Sequence, residues 1–516
     1  MSLLRAAASV GGLTMASRLL GFVRDILLAR VLGAGLAADA FFVAFKLPNF
    51  FRRLFAEGAF SAAFVPMFAA AHQESGAAAK RFAEDVLAAL LAIVLLFSAL
   101  MEALMPWVVL LITGGFKDAS PEKLALAVHL TRLTFPFLML ISLGSLLAGV
   151  LNGLGRFAAA AAAPILLNLC MIGALLLWRA SPVVTATALA SAVSIAGLAQ
   201  FVWLLVATCR AGLVLRLRWP RFSAPVKAML RVAWPAAIGA GAMQVNLLID
   251  TVLATRFLRE GSLSYLYYAD RLNQLPIGVI GVAVGTVLLP TLARQIAGAA
   301  PAVANHTHNR ALELGLVLTI PAAVGLIVLA ETLIRVLFQR GAFDAAATAA
   351  SAAALAAYAL GLPAYVLVKV LTPGFYARQD TATPVKIALI AVAANSALGI
   401  ALMFPLAHVG LALATAISAW LNTALLYRSL RRRGHFRLDA KARRRSAMML
   451  LGAGVMAVVL VLAALPLAGL TGAGGLRGAV GLGLLILAGV LAYGSVMVAT
   501  GTVTLAEIKG QLRRGA

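Results

Sequence analysis

The sequence predicts an all-α polytopic membrane protein of about fourteen transmembrane helices, and three observations carry that prediction. Of its 516 residues, 63% are hydrophobic and only 12% are charged, where soluble domains average roughly 45–50% and ~25%. Apolar runs of about 20 residues, the length a helix needs to cross a hydrocarbon core, recur along the chain, whereas a barrel strand needs only about 9–11. Lysine and arginine, finally, concentrate in alternate loops, as the positive-inside rule requires of a multi-pass helical protein.

Taken in order, the candidate spans are 5–33, 39–70, 82–113, 124–151, 158–178, 182–208, 228–256, 264–292, 311–339, 345–372, 384–404, 406–427, 446–470 and 474–502. The first is read as a retained helix rather than a signal peptide, because Arg18 and Arg24 interrupt any apolar h-region. One set of loops carries Lys80 and Arg81, Arg156, the run from Arg210 to Arg231, Arg294 and Arg310, Arg378, and the stretch YRSLRRRGHFRLDAKARRR with nine basic residues. The alternate set, such as GAGLAA, WRASP and PLAHVG, is short and poor in charge. Both termini are therefore expected on the cytoplasmic side.

The spans are not uniformly apolar. The stretch DAFFVAFKLPNFFRRLFAEGAFS carries Asp39, Lys46, Arg52, Arg53 and Glu57, and each charge at bilayer depth costs roughly 2.5–3.5 kcal/mol even on lenient insertion scales. On an ideal helix Asp39, Lys46, Arg53 and Glu57 fall within a stripe of about 40°. Arg52 lies off that stripe, but Pro48 intervenes and is expected to bend the helix. The preceding span repeats the theme with Arg18, Arg24 and Asp25 beside Gly21. Such residues must face protein or water, so the two spans read as a wall of a polar cavity. Guanidinium is permanently charged and pairs bidentately with carboxylate and phosphate, so an arginine-rich cavity suits an anionic ligand.

The formal charge of +25 does not point to nucleic acid in so apolar a chain; loop topology and attraction to anionic membrane lipids explain it. Cys170 and Cys209 give no disulfide framework. No GxxxxGK[ST] motif is present, so the chain has no ATP motor of its own. His306 and His308 lack acidic or cysteine neighbours that would complete a zinc site. No cofactor is expected.

An internal repeat organises the chain. Leu47-Pro48 recurs as Leu275-Pro276 at an offset of 228 residues, and Pro136 with Pro363 and Asn168 with Asn395 share an offset of 227. The charged stretch at 39–61 thus has a counterpart in SYLYYADRLNQLP, with Asp270 and Arg271. The expected organisation is an N-terminal lobe over 1–210 (spans 1–6) and a C-terminal lobe over 211–432 (spans 7–12) that includes a basic amphipathic linker. Residues 433–516 would hold the basic loop, two extra helices and a cytoplasmic tail. Parallel repeats around a central cationic cavity are a transporter plan. Pro48, Pro276 and Gly21 would supply bends, and Gly278, Gly281 and Gly285 close helix approach.

The segments TMASRLLGFVRD, GAGLAADAFFVAFKLPNFFRRLFAEGAFSAAFVP, YYADRLNQLPIGVIGVAVGTVLLP and VKVLTPGFYARQDTATPVKIA resemble the MurJ (MviN) lipid II flippases, over the whole chain and at matching spacing. The resemblance implies the multidrug/oligosaccharidyl-lipid/polysaccharide exporter fold and movement of lipid II, the undecaprenyl-pyrophosphate-linked disaccharide-pentapeptide, from the cytoplasmic to the periplasmic leaflet of the inner membrane for peptidoglycan synthesis. By motif it assigns Arg18, Arg24, Arg52 and Arg271 to the substrate site, with Asp39, Glu57 and Ser264 in matching positions; Asp25, Lys46, Arg53 and Asp270 join them as charged neighbours. Other cell-wall synthesis proteins are candidate partners.

A second polar group, Asp250 with Asn395 and Thr415, is a candidate site for a monovalent coupling cation, Na+ or H+, since oxygen ligands on facing helices can hold a hard ion. A protonated, hydrogen-bonded Asp250 is the other reading, and the membrane potential the other energy source. The competing transporter function is a cation-coupled exporter of another lipid-linked glycan or of small drugs, but a site for cationic drugs should be acidic rather than arginine-rich. An intramembrane pyrophosphatase or glycosyltransferase would need acidic metal ligands in a loop at the membrane face, and the loops here are acid-poor. The chain is therefore read as a transporter and not an enzyme.

Overall fold

The computed structural model describes residues 3–55, 59–114, 121–178, 180–298 and 300–502, and every regular element among them is helical. The first compact unit comprises Met1–Ser264 with Arg340–Phe343, the second Tyr265–Gln339 with Asp344–Ala516. In the first unit the helices are α1 (Leu3–Leu32), α2 (Leu36–Phe55), α3 (Ala59–Glu74), α4 (Gly76–Ala103), α5 (Met105–Thr113), α6 (Pro121–Thr134), α7 (Pro136–Gly153), α8 (Phe157–Leu177), α9 (Pro182–Arg210) and α10 (Ala224–Phe257). Helix α11 (Ser262–Ala297) starts in the first unit and continues into the second. The second unit adds α12 (Pro301–Val328), α13 (Ala330–Phe338), α14 (Ala345–Leu360), α15 (Leu362–Leu371), α16 (Pro373–Tyr376), α17 (Ala382–Arg432), α18 (Ala440–Thr471) and α19 (Gly475–Ala499).

Among the described residues nine helical segments are long and apolar enough to cross a membrane. The 51-residue α17 is one of them, and it bends at Ala407 (φ 50, ψ −132) just after Pro405. That bend separates the two spans expected at 384–404 and 406–427.

Helix starts follow local chemistry. Ser75, Ser181, Asp344 and Asp439 each accept a first-turn N–H of α4, α9, α14 and α18 through a side-chain oxygen. The repeat reappears as matched interruptions. Helices α6 and α7 break ahead of Pro136, α14 and α15 ahead of Pro363, and α4 and α12 each break one residue before a nine-residue helix. At those last two breaks Leu104 (φ −88, ψ 2) and Leu329 (φ −97, ψ 12) take the same backbone conformation.

Within the first unit a ladder of stacked rings, Phe60, Phe64 and Phe68 with Phe82, has centroid spacings of 5.4, 5.7 and 5.6 Å. Helix α7 meets it through Gly149 and Gly153, where a Cβ would lie 2.8 and 2.6 Å from the Phe64 and Phe68 rings. Small residues there let helices approach in a medium that supplies no hydrophobic drive between them. In the second unit Val366, Val370, Phe375, Leu430 and Phe436 form a core with Met449 and Leu460 of α18.

The basic linker between α9 and α10 has no regular secondary structure over 213–223. It is fixed by Glu84 of α4, a fully buried carboxylate that accepts the Arg216 N–H at 3.0 Å and pairs with Arg218 at 2.6 Å.

Candidate substrate site

The charged residues of α1 and α2 sit in two separate networks of the first unit. Arg24 is 6% and Asp25 2% exposed. Arg24 donates from Nε and Nη2 to Asp25 Oδ1 at 3.0 and 2.7 Å, and from Nη1 to Asn168 Oδ1 on α8 at 3.0 Å. Asn168 in turn donates to the Ser17 carbonyl at 2.9 Å, so its orientation is fixed from both ends. The Phe45 ring of α2 lies 5.9 Å from the guanidinium. Arg18, by contrast, is exposed on α1.

The second network is a reciprocal cap. Asp39, 3% exposed, accepts the Gly261 N–H at 2.8 Å, the Ser264 N–H at 3.0 Å and the Ser264 hydroxyl at 2.6 Å, all at the start of α11. Glu260, just before α11, accepts the Leu36 N–H at the start of α2 at 2.6 Å. Each carboxylate thus faces the N-terminus of the other's helix, where unpaired N–H groups favour negative charge. Between them lies Lys123 of α6, 3% exposed, 3.8 Å from Asp39 and 3.6 Å from Glu260. Asp39, expected on the same stripe as Lys46 and Arg53, is therefore engaged with protein donors.

Lower on α2, the Lys46 ammonium donates to the Thr251 hydroxyl at 3.2 Å, Arg52 to Asn49 at 3.1 Å and Arg53 to Gln244 of α10 at 2.7 Å. Lys46 and Arg52 are partly buried and Arg53 is exposed. Glu57, expected to pair with Arg53, lies outside the described residues. In the second unit the Arg271 guanidinium stacks 4.6 Å from the centroid of Tyr267, and Asp270 accepts from Gln274. Stacking and a planar fork are the properties that set arginine apart from lysine.

Of the three residues considered for a cation, Asp250 is half-buried on α10 beside Thr251, in the first unit. Asn395 (1% exposed) and Thr415 belong to the second, where Asn395 accepts from Ser418 at 3.4 Å and Thr415 donates to the Leu411 carbonyl at 3.0 Å.

Sequence reasoning did not single out Lys123, Glu260, Gly261 or Thr251. Lys123 stands in KDASPEK, which reads as a solvated loop. Asn168 carried a signal only through its repeat partner Asn395.

Interrupted, repeated apolar helices that hold paired charges among the described residues define a polytopic membrane protein, and its family makes it a transporter and not an enzyme. The fold is shared with an inward-facing multidrug resistance transporter of the MATE family, which matches 83% of this chain and 98% of its own at a TM-score of 0.63 and 15% identity. The chain belongs to the lipid II flippase MurJ family, whose sequence model matches residues 28–475. A Rhizobium tropici protein named "Probable lipid II flippase MurJ" is 46% identical over 521 residues, covering 100% of this chain and 97% of the relative. A Burkholderia cenocepacia lipid II flippase MurJ is 38% identical over 447 residues, 84% of this chain and 85% of the relative. A solved lipid II flippase MurJ in an inward closed conformation is 27% identical, with a TM-score of 0.79 over 95% of this chain and 98% of that one.

Proposed function

We propose that this chain flips lipid II: it carries the undecaprenyl-pyrophosphate-linked disaccharide-pentapeptide from the cytoplasmic to the periplasmic leaflet of the inner membrane, by alternating access around an arginine-rich site. The observation that carries the reading is membership of the lipid II flippase family across residues 28–475. The chemistry agrees with it. A pyrophosphate must cross ~30 Å of hydrocarbon, and Arg18, Arg24, Arg52 and Arg271 are permanent, fork-shaped cations suited to a dense phosphate anion. Arg24 already has carboxylate and amide partners, so its part in the proposal is to exchange Asp25 for phosphate as substrate arrives. Lys46, Arg53, Asp270, Asp39 and Ser264 position that set, with Asp39 and Ser264 acting through the helix caps.

The loop charges support an orientation with both termini in the cytoplasm, and anionic lipids as neighbours of the basic loops. Asp250, with Asn395 and Thr415, is the proposed point of coupling to Na+ or H+; the membrane potential is the other source of drive. Cell-wall synthesis proteins are proposed partners.

The test is headgroup translocation in liposomes that contain only this protein and lipid II, with and without an imposed Na+ or H+ gradient. Protein-dependent translocation is expected, and its gradient dependence is expected to disappear in Asp250→Asn. Absence of translocation under every gradient would overturn the function, and unchanged ion dependence in the variant would remove Asp250 from coupling.

A further inference from the structure

The first unit carries a second cationic feature, away from the networks of α1 and α2. A cleft of about 370 Å³ lies between the end of α7, the start of α8 and the end of α9, with Ser9 of α1 at its edge, and is lined by Leu151, Phe157, Trp203 and Val206 together with Arg156 and Arg210. Its walls are apolar and its charged groups are both cations. Among the described residues neither guanidinium has a carboxylate within ion-pair distance; Arg156 reaches only the Arg210 carbonyl, at 3.4 Å.

The local backbone fixes this arrangement. Helix α7 ends with Gly155 at φ +72. The Gly155 N–H bonds to the Asn152 carbonyl at 3.0 Å and the Arg156 N–H to the Leu151 carbonyl at 2.8 Å. This is the Schellman closure, which needs a left-handed residue and so favours glycine. It turns the chain sharply and delivers Arg156 to the mouth of the cleft beside the last residue of α9. Trp203 braces the opposite wall by donating its indole N–H to the Ala159 carbonyl at 3.0 Å.

The helices that form the cleft carry side chains of the kind that meet acyl chains. Leu169 of α8 and Leu198, Val202 and Val206 of α9 are large, apolar and exposed, by 43% or more. A cleft of this size takes a headgroup and its glycerol and leaves the chains on those residues. Two unpaired guanidinium groups select a phosphate, and an indole at the rim suits the interface between headgroups and hydrocarbon.

We propose that this cleft is a binding site for one anionic glycerophospholipid, with its phosphodiester between Arg156 and Arg210 and its chains along α8 and α9. The site rests on the membrane orientation given above only for its leaflet, the cytoplasmic one; its chemistry does not depend on the transported substrate. It is a resident lipid site, separate from the arginines assigned to lipid II.

The test uses the purified full-length protein, delipidated in detergent and titrated with phosphatidylglycerol, with phosphatidylcholine of the same chains, and with inorganic phosphate, bound lipid being counted by native mass spectrometry. One phosphatidylglycerol is expected to bind about tenfold more tightly than phosphatidylcholine, whose phosphodiester is the same but whose choline cation would be held against two guanidinium groups. The pair Arg156→Gln and Arg210→Gln should remove that preference, since each charge-assisted contact accounts for roughly a tenfold change. Arg156→Lys with Arg210→Lys should retain most of it, and keeps the test informative if the glutamine pair fails to fold. Ala207→Leu should weaken binding with charge unchanged, whereas Arg444→Gln, an exposed cation elsewhere, should not.

Lipid II binding should survive in all these variants. Equal binding of the two lipids, an equal loss in Arg444→Gln, or displacement of the lipid by inorganic phosphate at matched concentration would overturn the site. So would a parallel loss of lipid II binding, because the cleft would then belong to the substrate path. Failure of lipid II binding in the wild type, with the phosphatidylglycerol preference intact, would fall on the proposed function alone.

Discussion

Asp39 ties the start of α11 to α2: its two carboxylate oxygens take three donors there, with Lys123 alongside. Asp39→Asn keeps the shape but weakens those bonds and removes a carboxylate from beside Lys123. Removing a charged partner from buried donors costs about 1–3 kcal/mol, so the variant should unfold at a lower temperature in detergent than the wild type, and Ser264→Ala should lie between them. An unchanged midpoint for Asp39→Asn would deny the cap.

Outside the membrane, Asp380 gives a pH-dependent counterpart. The Thr383 backbone N–H and then the Thr383 hydroxyl hold its pKa down at about 2, with Arg433 2.5 Å away. Because the folded value lies below the unfolded one, the stabilisation is present above about pH 4 and is lost as pH falls toward 2. Asp380→Asn should therefore be less stable than the wild type at pH 6 and converge with it between pH 4 and 2, as read by thermal unfolding.

The partners of Asp39 were hidden in the sequence for a physical reason. Its donors come more than 220 residues later, and nothing in the periodicity of α2 encodes the end of another helix. The stripe itself was legible, because charges cost too much at bilayer depth to occur there without partners.

Helix elements were more legible than contacts. Apolar runs bounded by Ser, Asp, Pro and Gly gave most spans, but the spans expected at 124–151 and 345–372 run through Pro136 and Pro363, where the helices break. The break at Leu104 has a local cause in Pro106, whose missing N–H and ring end the preceding helix, whereas at Leu329 no neighbouring residue marks the break and only the tertiary path ends the helix. The loop at 428–445, which reads as a solvated run of cations, is in fact joined to α12. Glu313, 5% exposed, takes Arg310 at 2.5 Å and Arg445 at 3.0 Å, Arg310 also pairs with Asp439 at 2.7 Å, and Asn309 bonds the Arg437 carbonyl at 2.9 Å. Those contacts fix the α17–α18 turn, and with it the start of α18, on the second unit. Glu313→Gln leaves two guanidinium groups without their shared carboxylate, so it should lower stability by roughly 1–3 kcal/mol and speed tryptic cleavage between Arg431 and Arg445. Wild-type cleavage rates would show that the loop holds itself.

At the scale of the whole molecule the transporter plan was legible in composition, loop charge and the 227–228-residue repeat, and the matched interruptions of the helices give that repeat a structural form. The claim at the centre is that arginines grip the pyrophosphate of lipid II. The most direct measurement is lipid II binding to purified Arg18→Lys, Arg24→Lys, Arg52→Lys and Arg271→Lys, each with its thermal midpoint, alongside complementation of a flippase-depleted strain at matched expression. Lysine keeps the charge and loses the fork. Loss of one charge-assisted contact, ~1.5–3 kcal/mol, should weaken binding about tenfold or more, with midpoints near wild type for the exposed Arg18 and half-buried Arg52, and with alanine worse than lysine throughout. Wild-type binding and growth in all four lysine variants, with alanine failing only through poor insertion, would contradict it.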